Sequence, residues 1–95
     1  MLSKAKCQRM HTKTRMLQRY GIELNRRSYQ EIANPIRDRG PGKAKDSRFV
    51  DRQSNRITRW FVKYSGRWFP VVYDSKRKTL VTILPEGSLG PEPKD

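Results

Sequence analysis

Cysteine and histidine are almost missing from this chain: Cys7 and His11 are the sole examples of each. One cysteine permits no internal disulfide, and one cysteine with one histidine makes no multi-ligand zinc site. Acids are scarce too, 9 against 22 Lys and Arg, and none precedes Glu23. Metal-dependent nucleases gather several carboxylates around Mg²⁺, and the acids here are scattered, so neither a metal nor a cofactor is expected. No apolar run approaches the ~20 residues of a membrane span. The opening residues Met1 to Cys7 lack the apolar core of a secretory signal. Gly40-Pro41-Gly42 has neither the strand before it nor the helix after it that a phosphate loop requires. The expectation is a cytoplasmic protein with no membrane partner.

Positive charge is abundant. The chain has 95 residues and a net charge of +13, a length that suits one domain with a modest core. Residues 1–48 carry 13 basic and 4 acidic side chains, and residues 49–95 carry 9 and 5. Such an excess favours a polyanionic partner, RNA or another nucleic acid first, with anionic lipid or an acidic protein as rivals. A merely solubilising surface is the plainer alternative.

A first helix is expected from Lys4 or Cys7 to Tyr20, ended by Gly21 as the residue that accepts a left-handed backbone. Cys7, Met10, Thr14 and Leu17, widened by Met16 and Tyr20, form its apolar stripe and are expected to face the core. Gln8, His11, Arg15, Gln18 and Arg19 occupy the opposite stripe, where His11, Arg15 and Arg19 stack at spacings of four. Asn25 is a good N-cap for a second helix, Arg26 to Ala33, with Leu24 and Tyr29 placed as a hydrophobic staple. Asn34-Pro35 is expected to stop it. Arg37 to Ser47 reads as a basic loop broken by Gly and Pro.

The second half reads as β-structure. Arg48 to Asp51 suits a short edge strand, and Arg56 to Tyr64 is rich in β-branched and aromatic residues. Ser65-Gly66 signals a two-residue hairpin leading into Arg67 to Asp74. Trp60, Val62, Phe69, Val71 and Tyr73 then share the core face. Arg59, Phe61, Lys63, Trp68 and Val72 share the other, with Trp68 expected to be the more exposed tryptophan. Pro70 argues for an edge position or a bulge. Thr79 to Leu84, the most apolar run, is expected to be a central strand ended by Pro85. The predicted fold is α+β: two N-terminal helices packed on an antiparallel sheet of three or four strands. Residues 1–85 form one basic domain, and 86–95 form a Pro-rich tail.

These residues suit metal-free RNA cleavage. RNA carries its own nucleophile, the 2′-hydroxyl, so the protein need supply only a base, cations for the crowded phosphate, and a proton for the leaving oxygen. Imidazole titrates near neutral pH, and guanidinium forks fit phosphate oxygens. His11 with Arg15 and Arg19 provides such a set on one helical stripe, although a surface histidine on a basic helix looks the same in sequence.

The segment His11-Thr12-Lys13-Thr14-Arg15-Met16-Leu17-Gln18-Arg19-Tyr20-Gly21-Ile22 resembles the opening helix of small toxin-like endoribonucleases related to BrnT and the colicin D nuclease domain, of the barnase–EndoU–colicin–RelE fold. Small phage proteins of unassigned role are similar, including an ending like Leu80-Val81-Thr82-Ile83-Leu84-Pro85. The resemblance implies helices before an antiparallel sheet and metal-independent RNA cleavage. It implies His11 as general acid and base, Arg15 or Arg19 as phosphate clamp, and Thr82 as a hydrogen-bond donor near the scissile group. Tyr20 before Gly21 departs from the usual Arg-Gly step, and the basic loop is longer than that pattern has.

Further nucleic-acid contacts are expected from Lys13, Arg26, Arg27, Lys43, Lys45, Arg59, Lys63, Arg67, Lys76, Arg77 and Lys78. Trp68 is expected to offer a ring for base stacking. Three readings stay open: an RNA-binding, toxin-like or phage-encoded endoribonuclease; a non-catalytic nucleic-acid or ribonucleoprotein-binding module on the same fold; and a host-takeover protein for an acidic protein partner. The ribosome and an acidic antitoxin are further candidate partners.

Overall fold

A run of seventeen residues free of glycine and proline, Lys4–Tyr20, forms α1. It stops where Gly21 adopts φ 68°. The Gly21 amide donates to the Leu17 carbonyl at 2.9 Å, the bond of a left-handed C-cap. The computed structural model describes residues 4–37 and 46–93. Lys43, Lys45 and most of the basic loop lie outside them.

The second helix, α2, spans Arg26–Arg37. Its start follows the sequence closely. Asn25 Oδ1 accepts the Ser28 amide at 2.8 Å, and Ser28 Oγ accepts the Asn25 amide at 2.8 Å, a reciprocal capping box. Leu24 and Tyr29, the staple pair, are both in the core. The end differs from expectation, because Pro35 sits inside the helix. Proline removes one backbone donor there. The last turn persists because it buries Ile36 in the core and because the Ser47 hydroxyl donates to the Pro35 carbonyl at 3.0 Å.

Four strands follow: β1 Ser47–Arg52, β2 Ile57–Tyr64, β3 Arg67–Asp74 and β4 Thr79–Ile83. They form one antiparallel sheet in the order β1-β2-β3-β4. The β2–β3 turn has φ 52° at Ser65 and 74° at Gly66, two positive values in succession as a type I′ turn needs. This turn sets the register Tyr64↔Arg67, Val62↔Phe69 and Trp60↔Val71. The expected inner face is the real one. Trp60, Val62, Phe69, Val71 and Tyr73 pack with Leu80 and Ile83 against Met16, Ile32, Ala33 and Ile36.

Two expectations about strand position are corrected. β4 is terminal rather than central, and Pro70 lies in interior strand β3. In an antiparallel ladder, hydrogen-bonded and non-bonded pairs alternate. Counting from the hairpin, Phe61↔Pro70 is a non-bonded pair, so the missing N–H points toward β4. That strand ends at Ile83, and Pro70 meets only the following residue, accepting the Leu84 amide at 2.8 Å. The chain after β4 makes turns. The Ser88 amide bonds to the Pro85 carbonyl at 3.1 Å, and the Gly90 amide to that of Gly87 at 3.2 Å, so residues 85–90 turn. Among the described residues, no helix is long and apolar enough to cross a membrane.

Candidate nucleic-acid interface

The position of α1 follows from the needs of β4. A terminal strand has outward carbonyls with no strand to pair with. Here α1 supplies the donors. Thr12 Oγ1 donates to the Leu80 carbonyl at 2.8 Å, and the Tyr20 hydroxyl to the Leu84 carbonyl at 2.7 Å. The Arg19 guanidinium donates to the Ile83 carbonyl. At the other end, Gln8 donates to Asp74 Oδ2 at 3.2 Å and accepts from the Thr79 hydroxyl. The inward stripe is therefore Gln8, Thr12, Met16 and Arg19 with Tyr20.

This corrects the expected facing of α1 in part: Met16 and Tyr20 of the apolar stripe do reach the core, but the rest of the stripe does not. Met10 is 50% exposed and Leu17 52%, and Cys7 is exposed with them, whereas Thr12 and Met16 are fully buried. Apolarity alone predicts the wrong side. The helix seats on a strand edge, where hydrogen-bond donors serve better than aliphatic carbons.

The resulting roll of the helix lays Lys6, Arg9 and Lys13 along the flank facing α2. These three cations, with Arg26, Tyr29 and Gln30 of α2, line a cavity of about 470 Å³. Among the described residues no acid lines it, and no carboxylate pairs with Arg9, Lys13 or Arg26. Tyr29 gives the cavity a neutral wall. Its hydroxyl accepts the Leu80 amide at 2.9 Å, and burial pushes its pKa upward. Lys13 and Arg26 were expected at a nucleic-acid surface. Lys6 and Arg9 were not, although spacings of three and four from Lys6 through Arg9 to Lys13 mark one helical flank.

His11 lies on the other flank and is exposed. It lines a second cavity, of about 260 Å³, with Cys7, Gln8, Arg56 and Val81. Arg56 is the cation the structure brings to the imidazole. It is held by Asp74 at 3.4 Å, whose carboxylate is completely buried. Burial by itself would raise the Asp74 pKa. The Arg77 amide and guanidinium, Gln8 and the Lys76 amide outweigh it and hold the pKa at about 2. Sequence offers no local sign of this arrangement, since only the tertiary fold brings Arg56 and His11 to one cavity.

The other proposed catalytic residues do not line that cavity. Arg15 donates to Gln18 Oε1 at 2.8 Å. Arg19 is committed to the Ile83 carbonyl. Thr82 pairs with Val72, on the sheet face away from the core, and its hydroxyl turns to the Ile83 carbonyl at 3.4 Å.

The remaining expected contact residues are dispersed. Arg59 is ion-paired with Asp51, whose pKa is lowered by that hydrogen bond. Arg77 is bound to Asp74 at 2.9 Å. Arg67 stacks over Tyr20 at 5.0 Å and pairs with Glu86 at 3.8 Å. Arg27 pairs with Glu31 at 3.9 Å. Lys76 and Lys78 are exposed on the β3–β4 turn.

Trp68 corrects an expectation. It is 5% exposed, the same as Trp60, and it is overlain by Lys63 at 5.8 Å and Arg48 at 5.6 Å. A ring so covered offers no face to a base. Trp68 is on the outer sheet face, as expected, but the long side chains of Arg48 and Lys63 cover it there.

The chain matches no family model, no curated protein and no solved structure. Function therefore rests on the geometry of the two cavities.

Proposed function

We propose that this protein binds RNA, with the sugar–phosphate backbone lying in the α1–α2 groove. The observation that carries this reading is the convergence of Lys6, Arg9, Lys13 and Arg26 on a cavity that no acid lines among the described residues. Like charges gathered at short range repel, and an anion removes that cost while releasing its own counterions. The groove is shaped by rigid elements, and its neutral Tyr29 wall adds no competing negative charge. The setting fits a cytoplasmic RNA partner, including a ribonucleoprotein such as the ribosome.

The test is fluorescence anisotropy with a labelled single-stranded RNA across a salt series. Four phosphate contacts predict a loss of about 50-fold in affinity between 50 and 200 mM salt. Combined Arg9→Ala, Lys13→Ala and Arg26→Ala substitutions should weaken binding and flatten that dependence. Unchanged affinity and slope in this triple variant would refute the groove.

A second reading, metal-independent RNA cleavage, is favoured by one observation: His11 is exposed in a cavity that also holds Arg56. An imidazole there can take the 2′-hydroxyl proton while the guanidinium meets the phosphate. His11→Ala should abolish cleavage with RNA affinity retained, and cleavage should survive EDTA. Equal RNA processing by wild type and His11→Ala would leave a binding protein alone.

A further inference from the structure

The roll of α1 that seats Thr12 on β4 has a second consequence on the opposite side of the helix. Cys7, Met10, Thr14 and Leu17 follow one another at spacings of three, four and three, the spacing of a coiled-coil seam. All four are exposed, with Met10 at 50% and Leu17 at 52%. In heptad terms Thr12 occupies the position opposite the seam, and it is the residue buried against the sheet. The seam thus points straight out from the domain. It runs between the two cavities on the helix flanks and shares Cys7 with the second.

The charges beside the seam state what can cover it. Lys6 and Lys13 flank one side, His11 and Gln18 flank the other, and α1 contains no acid at all. A second copy of this chain fits poorly. In an antiparallel pair the lysine sides face each other, and in a parallel pair they meet His11 and Gln18, with no opposite charge in either case. A helix with an apolar seam and acidic flanks complements this surface in both respects.

We propose that the outer face of α1 is a docking site for an acidic amphipathic helix of another protein, packed along Met10 and Leu17 with its carboxylates against Lys13 and Lys6. This contact does not depend on the RNA groove being correct.

Three designed 21-residue helical peptides test it against the full chain by titration calorimetry. One has a leucine seam with glutamate flanks, one the same seam with lysine flanks, and one a glutamine seam with glutamate flanks. The first should bind one to one, and the other two should not. Combined Met10→Ala and Leu17→Ala should weaken the first peptide at least about tenfold while leaving RNA affinity unchanged. Both side chains are exposed, so the fold survives, as circular dichroism would show. Lys13→Glu should also weaken the first peptide. Equal binding of the glutamine-seam peptide would overturn the proposal, as would a double alanine variant that binds as before. So would a dimer that this variant dissolves, or a seam variant that loses RNA instead of peptide.

Discussion

Asp74 ties together more separate parts of this chain than its place at the end of a strand suggests. Its two oxygens receive Gln8 from α1, Arg56 from just before β2, and the Lys76 and Arg77 amides of the following turn. The carboxylate is needed ionised. Its folded pKa of about 2 lies below the ordinary 3.8. A depressed acid contributes stability that is present above the unfolded pKa and lost as pH falls through the folded one. The shift corresponds to about 2 kcal/mol, and Asp74→Asn should lose roughly that at pH 7. Urea unfolding between pH 7 and pH 2 should show the gap between variant and wild type closing below pH 4. A gap independent of pH would mean that the carboxylate charge is not what matters. Tyr29 makes a simpler case. Removing its hydroxyl in Tyr29→Phe leaves the buried Leu80 amide without its acceptor, at a cost of about 1–3 kcal/mol, readable by the same unfolding curves.

Among the elements, α1 shows where local reading succeeds and where it stops. Its Gly21 cap is a property of neighbouring residues, and the sequence displays it. Its facing is a property of its neighbour in space. Periodicity counts carbon atoms and so turns Met10 and Leu17 inward. The edge of β4 instead demands donors, and Thr12, Arg19 and Tyr20 answer. Paired substitutions test this directly. Thr12→Val strands the Leu80 carbonyl and should destabilise the fold by about 1–2 kcal/mol. Leu17→Ala should change stability by no more than about 0.5 kcal/mol, as exposed positions do. The reverse order in thermal unfolding would show that α1 packs on its other side. The same logic explains α2. Its capping box is local and legible, whereas its passage through Pro35 depends on burial of Ile36 in the core.

At the scale of the molecule, charge is distributed by pairing rather than by count. On the sheet and its turns, four arginines find acids: Arg59 with Asp51, Arg56 and Arg77 with Asp74, and Arg67 with Glu86. On the α1–α2 flank, among the described residues, no carboxylate pairs with Arg9, Lys13 or Arg26. A composition of +13 therefore becomes a directed surface. Arg9→Ala should lower the salt slope of RNA binding by about 0.7, whereas Arg59→Ala, which removes a cation already neutralised, should leave the slope unchanged. Equal effects from the two would mean that RNA senses net charge alone.

Residue order alone determined the helix caps, the Ser65-Gly66 hairpin with its register, the inner face of the sheet and the positive charge. Each of these depends on contacts a few residues apart or on composition. Tertiary structure alone decided that β4 is an edge, that α1 seats on it by hydrogen bonds, and hence that Lys6, Arg9 and Lys13 line a cavity with Arg26 while His11 lines one with Arg56. Those pairings join distant segments, and an edge carbonyl's need for a donor is invisible until the strand has found its place in the sheet.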